Sequence, residues 1–233
     1  MLDLHTHILP GMDDGSASAE ESLQMLLSEA AQGVNEIVLT PHFYPDRETP
    51  DSFLIRRRQA CERLLAAMQG HENLPKLYLG AEVAYYDGIS RSEAADRLCI
   101  GQTGAMLLEM PFCEWTRRML DDVYELLSQR GIQPVLAHVE RYLAFQHRDI
   151  VADLCERGVW IQVNASCFTR WQTSRRALGM LERGEIHFLG SDCHNMSSRK
   201  PNMGEAAEKI HKKLGSDAQG YLAEMREMLL GGR

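Results

Sequence analysis

The feature that most constrains the fold is a regular alternation of short apolar runs with segments of helical periodicity, repeated along the whole chain. Successive runs stand about 25 to 40 residues apart, which is the length of one strand–helix unit. The runs are residues 1–4, 37–40, 77–83, 106–110, 135–138, 159–164 and 186–190. Strands that alternate with helices pair in parallel, so the pattern predicts an α/β fold with helices outside a parallel sheet.

The helical segments carry recognisable start signals. Ser18 and Glu21 have the spacing of a capping box, and Thr49 stands before Pro50 as an N-cap stands before the first helical residue. Further helices are predicted at residues 115–129, 148–157, 174–183, 202–214 and 217–230. No linker, low-complexity tract or internal repeat interrupts the alternation, so we expect one domain over residues 1–233.

Seven strand–helix units close most simply into a barrel. An open, doubly wound sheet is the alternative, but no glycine-rich phosphate loop follows the first predicted strand. In a barrel of this kind the active-site side chains lie at the carboxyl ends of the strands. The strand ends are therefore where functional residues are expected.

Composition excludes several classes of protein. The chain has 25 Lys and Arg against 33 Asp and Glu, a net charge of −8, which argues against a nucleic-acid partner. No apolar stretch approaches the ~18 residues of a membrane span, and the amino terminus lacks the features of a signal peptide. The six cysteines form no C-x-x-C pair and are typical of reduced thiols, so we expect a cytoplasmic protein.

Side chains that bind metals stand at almost every predicted strand end. They are His5, His7, His42, Glu82, Glu109, His138, Asp192 and His194, with Asn164 at one further end and Asp13 and Asp14 in the loop after the first strand. His5 and His7 are two residues apart, so an extended backbone points both to the same face. The competing interpretation is that these are unrelated core or surface residues. It is disfavoured because the strand ends were assigned from the apolar runs alone, and the ligand-type residues coincide with them.

The number of ligands points to more than one metal ion. One ion would be filled by three imidazoles and one or two carboxylates, so this set suggests two or three ions of manganese, iron or zinc. Clustered divalent ions suit phosphate-ester hydrolysis. Arg141 and Arg199 follow two of these strand ends and would bind the phosphate oxygens.

A thiol mechanism is the chemical alternative. The segment from Cys193 to Arg199 has the C-x5-R spacing of thiol-based tyrosine phosphatases. It contains no glycine for a phosphate-cradling loop, and Asp192 next to the cysteine disfavours a thiolate.

Together these segments resemble the polymerase-and-histidinol-phosphatase (PHP) superfamily, specifically its bacterial capsule and exopolysaccharide tyrosine phosphatases. The segments that carry the resemblance are Asp3-Leu4-His5-Thr6-His7 with Met12-Asp13-Asp14-Gly15, Thr40-Pro41-His42, Gly80-Ala81-Glu82, Leu108-Glu109-Met110-Pro111, Ala137-His138-Val139-Glu140-Arg141-Tyr142, Gln162-Val163-Asn164 and Gly190-Ser191-Asp192-Cys193-His194-Asn195. They span essentially the whole chain.

The resemblance implies a distorted TIM-like (β/α)7 barrel that holds three divalent metals, manganese first, with iron and zinc as alternatives. His5, His7, Glu82 and Asp192 would bind the first ion, Glu82 with Glu109 and His138 the second, and Asp14, His42 and His194 the third. Arg141 and Arg199 would bind phosphate, although the second arginine stands in Arg199-Lys200-Pro201 where the family tends toward Arg-Pro-Pro.

The implied substrate is phosphotyrosine on the tail of a bacterial tyrosine kinase that regulates capsule or exopolysaccharide synthesis. Our mechanistic hypothesis is attack by a hydroxide that bridges two metals. No general acid is assigned, and Asp14 or a metal-bound water are the candidates. A histidinol-phosphate phosphatase is the closest alternative function. A PHP nuclease, an amidohydrolase and a non-catalytic metal-binding barrel are more distant ones, and the sequence leaves the oligomeric state open.

Overall fold

A computed structural model describes residues 1–231 and contains nine strands and seven helices within them. The strands are β1 Leu2–Thr6, β2 Glu36–Leu39, β3 His42–Phe43, β4 Lys76–Leu79, β5 Glu82–Ala84, β6 Ala105–Glu109, β7 Gln133–Leu136, β8 Trp160–Asn164 and β9 Phe188–Gly190. The helices are α1 Ala19–Ala31, α2 Pro50–Ala67, α3 Arg117–Arg130, α4 Ile150–Glu156, α5 Ser166–Thr169, α6 Trp171–Glu182 and α7 Met203–Leu230.

The barrel closes between its first and last strands. All registered pairs are parallel, in the orders β1-β2-β4 and β3-β5-β6-β7-β8-β9. Asp192 N–H donates to the carbonyl of His5 at 2.8 Å, and His7 N–H donates to the carbonyl of Cys193 at 3.0 Å. These bonds join the end of β1 to the residues after β9, so the predicted distorted barrel is confirmed.

Two strands of the barrel are each continued by a second, short strand. The predicted run 37–40 corresponds to β2, and β3 follows it beyond Pro41, which has no N–H to donate to a ladder. The predicted run 77–83 is divided into β4 and β5, separated by Gly80 and Ala81. The two breaks face each other, so β3 pairs with β5 and places His42 directly beside Glu82. The division thus shapes the mouth of the barrel, where the candidate ligands lie.

The two predicted helix caps are confirmed, but α5 was not predicted, and α6 begins at Trp171, three residues before its predicted start at Ser174. Ser18 Oγ accepts from the backbone N–H of Glu21 at 3.2 Å, and Thr49 Oγ1 accepts from that of Ser52 at 3.3 Å. The two predicted C-terminal helices form α7, which is interrupted at Gly215 with φ 74° and ψ −160°. This left-handed conformation suits glycine, and it lets the two halves of α7 pack in different directions.

Apolar side chains of the strands and of the inner helix faces form the core. Met25 and Leu26 of α1, Leu64 of α2 and Val123 of α3 are fully buried. Within residues 1–231, none of the helices has the length and apolar character needed to cross a membrane.

His187, just before β9, should make the folded protein less stable in acid. Its Nδ1 accepts from the backbone N–H of Ile161 at 3.1 Å, and burial lowers the pKa of His187 to about 4. The unfolded chain, with a pKa near about 6.5, binds this proton first, so the free energy of unfolding falls as the pH drops from about 6.5 to about 4. The contribution is at most about 1.4 kcal/mol per pH unit. Urea unfolding across this range should give a smaller pH slope for His187→Asn than for the wild type.

The substitution His187→Asn keeps an acceptor near the position of Nδ1 but removes the titrating group. His71→Asn, which removes an exposed imidazole from a loop, is the matched control. Equal pH slopes for His187→Asn and the wild type would show that His187 does not titrate differently in the two states.

Candidate metal centre

The ends of the strands bring the predicted ligands together at the carboxyl-end mouth of the barrel. Three groups have donor atoms that all lie within 4.8 Å of one another. They are His5, His7 and Asp192; then His7, Asp14, His42 and His194; then His42, Glu82 and Glu109. His138, the remaining predicted ligand, lies beside the third group.

Glu82 stands at the centre of these side chains. Its Oε2 lies 3.1 Å from His5 Nε2, 3.3 Å from His7 Nε2 and 2.9 Å from His42 Nδ1. Its Oε1 lies 2.8 Å from His138 Nε2, which is in turn 3.6 Å from Glu109 Oε1. One buried carboxylate thus contacts four imidazoles from three strand ends, as expected of a bridging ligand.

Hydrogen bonds determine which nitrogen of His5 is free. Gln162 Oε1 accepts from the backbone N–H of His138 at 2.7 Å and lies 3.2 Å from His5 Nδ1. Because this oxygen only accepts, Nδ1 of His5 carries the proton, and Nε2 presents a lone pair when the ring is neutral.

Asp13 has the same effect on His7. Its Oδ2 lies 2.8 Å from His7 Nδ1 and also accepts from the backbone N–H of His42, while Oδ1 accepts from that of Gly15. Burial favours the neutral acid, but the bonds from His7 outweigh it and hold the pKa of Asp13 well below its usual range. Nδ1 of His7 therefore carries the proton, and Nε2 faces into the site.

The residues present fit a divalent cation. His5 Nε2 and His7 Nε2 lie 3.1 Å apart, and Asp192 Oδ1 is 3.7 and 3.5 Å from them. Two neutral imidazoles facing each other in this way repel through their lone pairs unless a positive charge lies between them. Glu82 Oε2 and His194 Nε2 are buried, and their nearest polar neighbours are poorly aligned for hydrogen bonding, as expected of atoms that face a cation.

The pKa shifts point the same way. Burial lowers the pKa of His7, but the hydrogen bonds to Asp13 and Glu82 outweigh it and raise that pKa to about 10. Burial and the charge of Glu82 raise the pKa of Glu109 to about 7. Positive charge is thus favoured among these carboxylates, and a divalent ion competes with the proton for Nε2 of His7.

Asp14 forms the exposed side of the mouth. Its Oδ1 is 3.6 Å from His42 Nε2 and 3.5 Å from His194 Nε2, and 65% of its side chain is exposed. His42 offers Nδ1 to Glu82 and Nε2 to Asp14, so it lies between two candidate groups.

Both predicted arginines reach the same carboxylate. Arg141 Nη2 bonds to Asp192 Oδ2, and Arg199 Nη2 lies 2.8 Å from Asp192 Oδ1. Arg199 Nη1 is also 3.7 Å from Asp14 Oδ2. The side chains of Arg141 and Arg199 are 37% and 38% exposed, and each contacts Asp192 through one nitrogen, so other N–H donors remain for an anion at the mouth. The departure from Arg-Pro-Pro after Arg199 therefore does not remove this residue from the site.

The backbone is held in unusual conformations at two predicted ligands. His138 has φ 31° and Asp192 has φ 54°, a region that non-glycine residues rarely adopt. A Cβ at Gly190 would lie 2.5 Å from His5 Cβ, so only glycine lets the end of β9 approach β1 this closely. Such strain is typical of functional sites in which the surrounding structure fixes the geometry.

Three supporting residues were not assigned a role from the sequence. Asp13 orients His7, and Gln162 orients His5. Asn164 Nδ2 donates to Asp192 Oδ2 at 2.9 Å, and Asn164 Oδ1 accepts from Gln162 Nε2 at 3.0 Å. Gln162 and Asn164 stand two apart at the end of β8, so alternation along the strand could have indicated that both face the barrel interior.

The position of Cys193 does not suit a nucleophile. The residue is fully buried, and burial raises the pKa of its thiol well above the usual value. A nucleophilic cysteine needs exposure and a lowered pKa, so the structure argues against the C-x5-R alternative.

Cys193→Ala is therefore expected to keep catalytic turnover within about twofold of the wild type, because alanine retains a small apolar side chain at a buried site. Initial rates on p-nitrophenyl phosphate with added manganese measure this. Loss of turnover in a variant with an unchanged circular dichroism spectrum would instead favour thiol chemistry.

A closed parallel barrel with these ligand groups at its mouth is the architecture of barrel metalloenzymes, and this is the class of protein that the fold and the site define. Within that class, the chain belongs to the CpsB/CapC family of capsular polysaccharide synthesis proteins, whose family model matches residues 1–227.

Relatives in this family are named as phosphatases. The chain is 30% identical to the tyrosine-protein phosphatase YwqE of Bacillus subtilis, over 99% of this chain and 91% of that protein. It is 31% identical to the tyrosine-protein phosphatase CpsB of Streptococcus pneumoniae, over 93% of this chain and 92% of that protein.

Solved structures agree with this assignment. A crystal structure from the study of YwqE and CpsB, described there as unique metal-dependent tyrosine phosphatases, matches with a TM-score of 0.87 and 29% identity, over 99% of this chain and 94% of that one. Histidinol phosphate phosphatase from Lactococcus lactis matches over 96% of this chain and 93% of its own with a TM-score of 0.55, but at 14% identity it shares the fold alone.

Proposed function

We propose that this protein is a metal-dependent protein-tyrosine phosphatase. Two relatives of about 30% identity, which align with this chain over nearly their whole length, are named tyrosine-protein phosphatases. The observation that carries the proposal is the convergence of imidazole lone pairs and carboxylates beside two exposed guanidinium groups. Such a mouth combines cation ligands with donors for phosphate.

Three divalent ions, manganese first and iron or zinc as alternatives, would occupy this centre. The ligands are His5, His7, Asp14, His42, Glu82, Glu109, His138, Asp192 and His194. When bound, the ions act as Lewis acids toward phosphoryl oxygens and lower the pKa of water.

Arg141 and Arg199 bind the phosphate and neutralise charge that develops on its non-bridging oxygens. Planar guanidinium groups present paired N–H donors that match the spacing of two phosphate oxygens. Asp192 contacts both arginines and so fixes the direction in which their remaining N–H groups point.

The leaving group of a phosphotyrosine needs little assistance from a general acid. Tyrosine leaves as a phenolate whose conjugate acid has a pKa of about 10, well below that of a serine alkoxide. Asp14 is the candidate general acid among the side chains, because it is exposed at the mouth where the phenolate would depart.

The substrate we propose is phosphotyrosine on the tail of a bacterial tyrosine kinase that regulates capsule or exopolysaccharide synthesis. Membership of the CpsB/CapC family supports this substrate. We propose the cytoplasm as the compartment, where reducing conditions keep the cysteines of the chain as thiols.

The test begins with purified protein whose bound metals are removed by a chelator and then restored with manganese, iron or zinc. We expect the restored protein to hydrolyse a phosphotyrosine peptide, and elemental analysis to find close to three ions per chain. Histidinol phosphate and a phosphoserine peptide of the same sequence serve as competing substrates. A higher kcat/KM on histidinol phosphate, or turnover that survives complete metal removal, would contradict the proposal.

A further inference from the structure

A second recess opens directly beside the candidate metal centre. Its volume is about 630 Å³, and its lining includes Asp14, His42, Tyr44, Arg47, Glu48 and Arg56. It shares Asp14 and His42 with the ligand groups, so a ligand held at the metal centre can extend into it. None of the roles proposed above uses its other polar side chains, Tyr44, Arg47, Glu48 and Arg56.

One of its two guanidinium groups is already engaged. Arg56 Nη1 lies 2.5 Å from Glu48 Oε1, and its Nη2 donates to the carbonyl of Met12 at 2.6 Å. Arg56 and Glu48 therefore neutralise each other and hold the loop that leads to Asp14.

Arg47 is different. Among the carboxylates of residues 1–231, none lies within 4.0 Å of its guanidinium group, and the residue is exposed. Its Cζ lies 4.3 Å from the centre of the Tyr44 ring, and Tyr44 in turn stacks on His42 with ring centres 5.0 Å apart. Stacking on an aromatic face holds the cation at the recess while leaving its N–H donors free.

The positive charge of Arg47 contrasts with the negative net charge of the whole protein. With a net charge of −8, the chain repels an acidic peptide at long range. The unpaired guanidinium group of Arg47, next to the mouth of the barrel, attracts a carboxylate at short range and so offsets this repulsion at the recess.

We propose that the recess binds the residues that flank the phosphotyrosine of a substrate, and that Arg47 selects an acidic side chain among them. This inference rests on the proposed phosphatase function. An extended peptide advances about 3.3 to 3.6 Å per residue, so side chains one to three positions from the phosphotyrosine reach the recess. Arg199 Nη1 is 3.7 Å from Asp14 Oδ2, and Asp14 also lines the recess, so the arginine proposed to bind phosphate and the recess share one carboxylate as a neighbour.

The test compares two phosphotyrosine peptides that differ only in having glutamate or lysine at the flanking positions, with p-nitrophenyl phosphate as a substrate that has no flanks. The variants are Arg47→Ala and Arg47→Glu. The matched control is Arg157→Glu, because Arg157 also stacks on a tyrosine, with its Cζ 4.7 Å from the Tyr124 ring, but precedes the amino end of β8, away from the mouth.

We expect the wild type to prefer the acidic peptide in kcat/KM, mainly through KM, and to lose that preference as salt is raised. Arg47→Ala should reduce kcat/KM on the acidic peptide about threefold and Arg47→Glu about tenfold, the latter with a gain on the basic peptide. Both Arg47 variants should hydrolyse p-nitrophenyl phosphate at the wild-type rate. Arg157→Glu should retain the preference for the acidic peptide.

Phosphotyrosine hydrolysis without a charge preference, or a preference that survives Arg47→Glu, would overturn the recess assignment and leave the phosphatase proposal intact. Failure of the metal-loaded wild type to hydrolyse either peptide would overturn both.

Discussion

Glu82→Gln should reduce turnover of a phosphotyrosine peptide by at least about a thousandfold, because loss of metal ligation removes several kcal/mol of transition-state stabilisation. The side chain keeps its shape, but one carboxylate oxygen becomes an NH₂ group that repels a cation. Glu82 contacts His5, His7, His42 and His138, so no other single carboxylate contacts as many imidazoles within the described residues. Elemental analysis should show fewer ions per chain, and initial rates measure the loss of turnover.

Glu29→Gln is the matched control. Glu29 is also buried, but burial followed by the charge of Asp3 raises its pKa to about 10, so at neutral pH it carries a proton. Glutamine is a close mimic of this neutral acid, and we expect metal content and turnover to stay near the wild type. Full activity and full metal content in Glu82→Gln would contradict the assignment of Glu82 as a bridging ligand.

Arg141→Ala should lower kcat/KM by about a hundredfold to a thousandfold, the range seen when one preorganised donor to a developing anion is removed. Arg141→Lys should recover part of that loss, because an ammonium group supplies the charge but not the paired donors. Metal content should stay at the wild-type level in both variants, because Arg141 contacts Asp192 rather than a cation. Inhibition by inorganic phosphate measures the binding effect separately from turnover.

Arg148→Ala, an exposed arginine seven residues further along the chain, controls for the loss of surface charge. If phosphate inhibition and kcat/KM were unchanged in Arg141→Ala, phosphate would have to be bound by other groups, with Arg199 as the first to examine.

The sequence predicted a large part of the site because the relevant signals are local. His5 and His7 share a face through strand alternation, and the end of each apolar run can be read without knowing what lies beside it. The caps at Ser18 and Thr49 are equally local, since each bonds to a backbone N–H three residues away.

Other features depend on residues that are distant in the chain. His42 lies beside Glu82 because β3 and β5 pair beyond the breaks that follow β2 and β4, and β3 was not predicted as a strand. The free nitrogens of His5 and His7 are determined by Gln162 and Asp13, whose bonds no spacing in the sequence reveals. The position of Arg47 over Tyr44 at the edge of a recess is likewise a result of packing.

The amino-acid sequence alone determined the repeated strand–helix order, the residue types at the strand ends and the family to which those residues point, because periodicity and capping act over a few residues. Only the tertiary structure decided which carboxylate contacts four imidazoles, which ring nitrogens face inward, and that the thiol of Cys193 is buried. These depend on contacts between segments up to 188 residues apart, as between Asp3 and Ser191. The physical reason is that burial and hydrogen-bond direction are properties of neighbours in space, and closure of the barrel supplies those neighbours.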